Sequence, residues 1–297
     1  MKIYVVSILS SVSAIVLNLL LKNYYVDIIA LVLVLSVGIM HGANDLLIIE
    51  KLKVENKQLN LNKYRIGYIT IVLLVLGLFY FIPWFILLAF IVVSAYHFGE
   101  QQLQISTKIS HPTAKFLFFL YGVSVLIGLF YFNSVETIQI INDITKSNAS
   151  AIYFQSLFII SLFLTLVYFI YLLIQNIISI KYILKEIFSM LIIFALFSQT
   201  NLLLGFAVYF VFWHTIPSLK DQIGYIYKET SQQTLLAYVK KALPIWLISI
   251  SGLFMLYFLF GEENMFLSIM FAFIAAVTFP HVLVIEQMFS KINQFNY

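Results

Sequence analysis

Apolar runs of spanning length, separated by short polar stretches, divide the whole chain. A helix needs roughly 20 apolar residues to cross a bilayer core. The pattern predicts ten such segments: 3–21, 28–49, 66–82, 84–104, 115–132, 153–177, 183–199, 202–219, 243–260 and 265–289. Pro83 marks a tight turn between the third and fourth. The seventh segment is short, and the fourth becomes polar after His97. The expected fold is therefore all-α: a polytopic membrane bundle of about ten helices, forming one domain across 1–297 with no separate soluble part. The first run is followed by Lys22-Asn23-Tyr24-Tyr25 rather than a small-x-small cleavage pattern, so it reads as a retained helix and not a leader.

Composition agrees. The 297 residues are 62% hydrophobic and 10% charged, with a mean hydropathy of +1.00. A soluble domain is nearer half apolar and a quarter charged. The net charge of +4 fits lysine-rich cytoplasmic loops at a membrane surface better than a nucleic-acid partner. There is no cysteine, which excludes disulfides, thiolate ligands and iron–sulfur clusters, so any metal is held by nitrogen or oxygen.

The lysines orient the segments. With ten spans and both termini in the cytoplasm, every basic residue except Lys22 and Lys146 falls on the inner side or at a helix end facing it. The outer loops carry Asp27, Glu136, Asp143, Glu262 and Glu263. The positive-inside rule predicts that asymmetry, and a missed span would scramble it. The similar stretches Gly77–Phe81 and Gly128–Phe132 both end outward-running helices and read either as an internal repeat or, better, as an aromatic interface belt that needs no duplication.

Four of the five histidines then gain a common setting. His111 lies in a predicted cytoplasmic loop and reads as solvated. His41, His97, His214 and His281 lie within the second, fourth, eighth and tenth spans, all of which run inward. Each sits late in its span, which places all four in one slab about 10 Å deep at 1.5 Å rise per residue. Polar groups inside a membrane are costly and face a bundle interior or cavity, and neutral imidazole is the commonest transition-metal ligand. Carboxylates follow at helical spacings: Asp45 after His41, Glu100 after His97 and, less well matched, Glu286 after His281. They are candidates to hold the distal ring nitrogens. Pro217 and Pro280, Gly42 and Gly99 flank the histidines and suit kinks or close approach. Read singly, each histidine is equally a buried imidazole bonded to a neighbouring helix.

An all-imidazole donor set suits Fe(II), Zn(II) or copper rather than Mg or Ca. Fe(II) with open positions binds dioxygen, and a chain with 29 Phe and 19 Tyr can house a lipophilic substrate delivered from the bilayer. One alternative is a haem electron-transfer protein with the same histidines as axial ligands. A transporter fits less well, because the outer helix halves carry almost no charge. A rhodopsin is disfavoured by the lack of a mid-span lysine.

The motifs themselves are His41-Gly42-Ala43-Asn44-Asp45, Tyr96-His97-Phe98-Gly99-Glu100, Phe212-Trp213-His214-Thr215-Ile216-Pro217-Ser218 and Phe279-Pro280-His281. This set resembles the bacterial and archaeal Brp/Blh family of β-carotene 15,15′-dioxygenases, from the second span to the tenth. The resemblance implies an Fe(II) and O2-dependent enzyme of the cell inner membrane that cleaves the central double bond of β-carotene to two all-trans-retinal molecules, in functional partnership with a retinal-binding rhodopsin. It implies His41, His97, His214 and His281 as iron ligands, with Tyr96, Phe98 and Trp213 as candidates to line the polyene. Many family members carry a second histidine one turn after the third motif's, where this chain has Ser218.

Overall fold

In a computed structural model the described residues, which are 2–55, 60–106, 113–260 and 265–294, form helices joined by short turns, with no strand among them. His111, Lys57, Lys108, Glu262 and Glu263 lie outside them. The elements are α1 (Lys2–Leu20), α2 (Asn23–Leu33), π1 (Val34–Gly38), α3 (Asp45–Glu55), α4 (Leu61–Phe81), α5 (Pro83–Ser106), α6 (Ala114–Phe132) and α7 (Ser134–Thr145). They continue as α8 (Ile152–Ile174), α9 (Ile180–Gln199), α10 (Leu202–Val208), π2 (Tyr209–Thr215), α11 (Ile216–Tyr227), α12 (Gln232–Phe260) and α13 (Phe266–Gln294). π1 and π2 are stretches of π-helix. Among the described residues, eight helices or helical runs are long and apolar enough to cross a membrane. The fold is a polytopic helical bundle.

Two of the ten expected segments fall short of that standard. The second is broken. Helix continues only to Met40, and residues 41–44 form a turn before α3 starts at Asp45. The bonds Ala43 N–H to Met40 O and Asp45 N–H to Gly42 O tighten to a three-residue step. His41 and Asp45 therefore do not stack on one helical face, contrary to the spacing argument. The seventh segment forms α9 as expected but carries Lys181, Lys185 and Glu186. Two elements were not anticipated: α7 in a presumed outer loop, and the continuation of α11 and α12 through most of the presumed cytoplasmic loop 220–242.

The chain forms two compact units, with the divisions falling inside α5, α7 and α11 and at π1. The first comprises residues 1–34, 91–142 and 148–217. Its tightest joint is between α5 and α6. A Cβ on Gly99 would lie 1.8 Å from the Phe118 carbonyl oxygen, and one on Gly122 would lie 1.7 Å from that of Ala95. These helices touch backbone to backbone, the small-residue packing that lipid-embedded helices rely on when hydrophobicity does not drive association. Ser124 and Thr165 hydrogen-bond at 2.9 Å between α6 and α8. At the ends, Asp27 accepts from Asn201 at 2.7 Å, and Glu136 accepts the Leu202 N–H at 2.6 Å, satisfying a donor in the first turn of α10.

The second unit comprises 35–90, 143–147 and 218–297. α13 is its spine and packs against α3, α4 and α12. Ile48, Ile49 and Leu52 meet Val284, Ile285, Met288 and Phe289. Toward the other end of α13, Ala275 and Ala276 meet Val75 and Phe79 of α4. The pairing order makes α4 and α13 antiparallel. Ser268 donates to Asp143 at 3.1 Å.

Gly122→Leu should force α5 and α6 apart and destabilise the protein by at least about 1–3 kcal/mol. Gly77→Leu, where a Cβ meets nothing within 4 Å, should be neutral. Thermal unfolding in detergent checks both, and equal losses at the two sites would refute the backbone-contact account.

Candidate functional site

The second unit brings His41 and His281 together. Their ring centroids lie 4.8 Å apart with planes at 86°. His41 is placed by the end of π1, where the helical bonding pattern lapses and leaves the Gly38 carbonyl to accept from His41 Nδ1 at 2.5 Å. His281 Nδ1 lies 2.8 and 3.0 Å from the two oxygens of Asp45. Asp45 also accepts from the Tyr68 hydroxyl at 2.8 Å. Asp45 thus serves the histidine of a different helix, not His41. All three of His41, Asp45 and His281 are buried. A carbonyl oxygen accepts, and a carboxylate oxygen facing Nδ1 accepts as well, so each ring donates from Nδ1, which in a neutral imidazole leaves Nε2 as the acceptor nitrogen. That is the tautomer of a metal-ligating imidazole oriented by an oxygen acceptor.

The turn carrying His41 is fastened by residues that no motif pointed to. The Tyr238 hydroxyl lies 2.6 Å from Gln222 Oε1 and 3.2 Å from the His41 carbonyl oxygen. Asn44 donates to the Tyr238 carbonyl at 3.0 Å, and Gln222 donates to Ser218 Oγ at 3.1 Å. Trp246 donates to the Leu35 carbonyl within π1 at 2.7 Å. Ser218 is fully buried and serves this network. Gly42 is not sterically required, because a Cβ there meets its nearest neighbour, His281 Nδ1, at an ordinary 3.8 Å.

The first unit brings His97 and His214 together, also with centroids 4.8 Å apart, planes at 74° and both rings buried. His97 rides on α5 two residues before the Gly99 contact with α6. His214 lies in π2. Pro217, just beyond, has no N–H, so the five-residue step leaves the Phe212 carbonyl without that donor. Ser7 Oγ of α1 donates to it at 2.6 Å. Phe210 stacks on His214 at 5.7 Å, and Phe98 lies 4.6 Å from the same ring. Of the other expected residues, Tyr96 donates to Glu100 at 3.2 Å. Trp213 turns toward α1, donating to Ser11 at 2.9 Å. Glu286 is half-buried further along α13. Pro280 lies within α13, which continues through it.

The pair geometry can be tested against metal chemistry. Two imidazoles sharing one ion at bonds of roughly 2.1 Å and roughly 90–110° apart have centroids roughly 4.5–5.2 Å apart. Both pairs meet that spacing. Among the described residues, no group of three or more His, Asp or Glu side chains is arranged as a complete metal cage.

Over residues 32–289 the chain matches the sequence profile of the family described as beta-carotene 15,15′-dioxygenase. The chain belongs to this family. The match spans all four histidines, from before π1 to within α13. No curated protein and no solved structure matches the chain. Family membership makes it an oxidoreductase acting on β-carotene.

Tyr68→Phe should remove one of the two donors that hold the Asp45 carboxylate. The expected cost is about 1.5–3 kcal/mol, the range for hydrogen bonds to charged groups. Chemical denaturation of the purified protein reads this directly, and unchanged stability would show that the Tyr68 bond contributes nothing.

Proposed function

We propose that this protein cleaves the central 15,15′ double bond of β-carotene with dioxygen, using a non-haem Fe(II) held by His41, His97, His214 and His281, and releases two all-trans-retinal molecules. The observation that carries the reading is the repeated spacing: two buried imidazole pairs, each 4.8 Å between centroids and each steeply angled, in a chain of this family. The spacing also favours adjacent ligation over a haem. Two axial imidazoles on opposite sides of a haem iron have centroids roughly 6.4 Å apart, with the macrocycle between them.

Iron supplies the activation of dioxygen. The chain supplies the rest. Asp45 and the Gly38 carbonyl fix the tautomers of His281 and His41, so each ring offers Nε2. The Tyr238–Gln222–Ser218 network holds the turn that carries His41, and Asn44 locks the same turn to α12. Phe98 and Phe210, packed on His214, provide apolar aromatic surface for a polyene, whereas Tyr96 packs against Phe118 of α6. Trp213 anchors π2 to α1. The apolar walls keep water from the reacting alkene. The reaction balances without another reductant: the carbon–carbon double bond breaks, and each carbon keeps one oxygen atom of O2 as an aldehyde. No side chain is asked to move a proton.

The same reading places the protein in the cell inner membrane, with ten spans and both termini cytoplasmic, and its product in the service of a retinal-binding rhodopsin. Support for the topology comes from the lysine asymmetry.

Expression in cells that make β-carotene should bleach their orange colour and accumulate retinal, and His41→Ala or His214→Ala should abolish retinal and lower the iron content of the purified protein. Chelation should silence the wild type, and added Fe(II) should restore it. Unchanged carotene beside iron-loaded protein would overturn the activity, and a Soret band would reassign the histidines to haem.

A further inference from the structure

A cavity of about 290 Å³ lies in the second unit, among α3, α4 and α13. Ile49, Ile71, Leu283 and Val284 give it an apolar wall, and Tyr64 and Tyr68 an aromatic one. Its polar groups, Lys63 and Gln287, lie at one end, because α4 and α13 are antiparallel and these residues fall at the same level. Pro280, which lines the other end, immediately precedes His281. The wall residue Tyr68 donates to Asp45, and Asp45 holds His281. The cavity is therefore one side chain removed from the histidine pair.

Its outer side is open. On that side the lining residue Leu283 is 51% exposed. At Gly67 an added Cβ meets nothing within 4 Å, so the glycine leaves open space in the wall. The volume is at the small end of ligand pockets, which run from roughly 300 to 1,000 Å³. It fits part of an extended hydrocarbon and not the whole of one.

We propose that this cavity receives one ring-bearing arm of the carotenoid, entering sideways from the bilayer between α4 and α13. The inference rests on the reaction proposed above. The apolar wall contacts the isoprenoid chain, the two tyrosines pack against its conjugated faces, and the polar end at Lys63 and Gln287 stops the terminal ring at the level of the headgroups. The adjoining Tyr68–Asp45–His281 chain puts the inner end of the arm one side chain away from the Nδ1 edge of His281.

Two substitutions fill the cavity from opposite walls without touching a histidine: Gly67→Leu on α4 and Leu283→Trp on α13. Each should raise KM for β-carotene about tenfold with kcat nearly unchanged, the signature of lost binding that is equal in ground and transition states. Iron content should stay at the wild-type level, and the β-carotene retained by purified protein, read by its visible absorbance, should fall. If wild type makes retinal and both variants match it in KM and in bound carotenoid, the cavity assignment fails while the reaction stands. If wild type makes no retinal but sheds bound β-carotene on either substitution, the reaction fails while the cavity assignment stands. Loss of co-purifying phospholipid in place of carotenoid assigns the cavity to a lipid and overturns the proposal. A wild type that neither binds β-carotene nor makes retinal overturns both.

Discussion

Placing an ionisable carboxylate inside an apolar bundle is the constraint around which the second unit is organised. Asp45 is 1% exposed. A carboxylate so placed has to be held by donors, because the alternative is a desolvation cost of several kcal/mol per ion. Tyr68 and His281 provide those donors from α4 and α13. Three helices are thus registered by one side chain: α3 bears the carboxylate, α4 the hydroxyl and α13 the imidazole. The same contact sets the histidine's tautomer. One interaction couples packing to chemistry, so the fold cannot relax there without altering the ring that it presents.

The first unit reaches a similar end by another route. The histidine concerned there is His214. Its ring packs against Phe210 and Phe98, which also touch each other, and the helix that carries it is widened into π geometry. A π-helix departs from the usual bonding step and frees carbonyls, which in a membrane need other donors. Ser7 meets the Phe212 carbonyl, and in the second unit Trp246 meets that of Leu35. Both π segments adjoin a histidine. The irregularity is what turns an otherwise ordinary helix so that an imidazole points inward, and neighbouring helices stabilise it with single hydrogen bonds.

Most of the long helices and their order could be read from apolar runs, because lipid leaves a chain no other way to satisfy its backbone, but α7, the turn at 41–44 and the early start of α12 could not. The histidines were legible for the same reason: a polar group in such a run is conspicuous. The partners were not. Spacing along one helix paired Asp45 with His41, yet residues 41–44 form a turn, and the carboxylate meets His281 from 236 positions away. Tyr68, Gln222 and Tyr238 are ordinary residues in sequence and acquire roles only through the register of helices distant in the chain. The π segments were also hidden. Pro217 hinted at one, but Gly38 has no comparable signal.

The central proposal, which rests on the four histidine motifs of the sequence, is that His41, His97, His214 and His281 bind one iron. X-ray absorption at the iron edge of the Fe(II)-loaded protein tests it most directly. The account predicts a nitrogen shell at about 2.1 Å with the multiple-scattering pattern of four imidazoles, falling to three in His281→Ala. A shell dominated by oxygen, or a spectrum unchanged by that substitution, would contradict it.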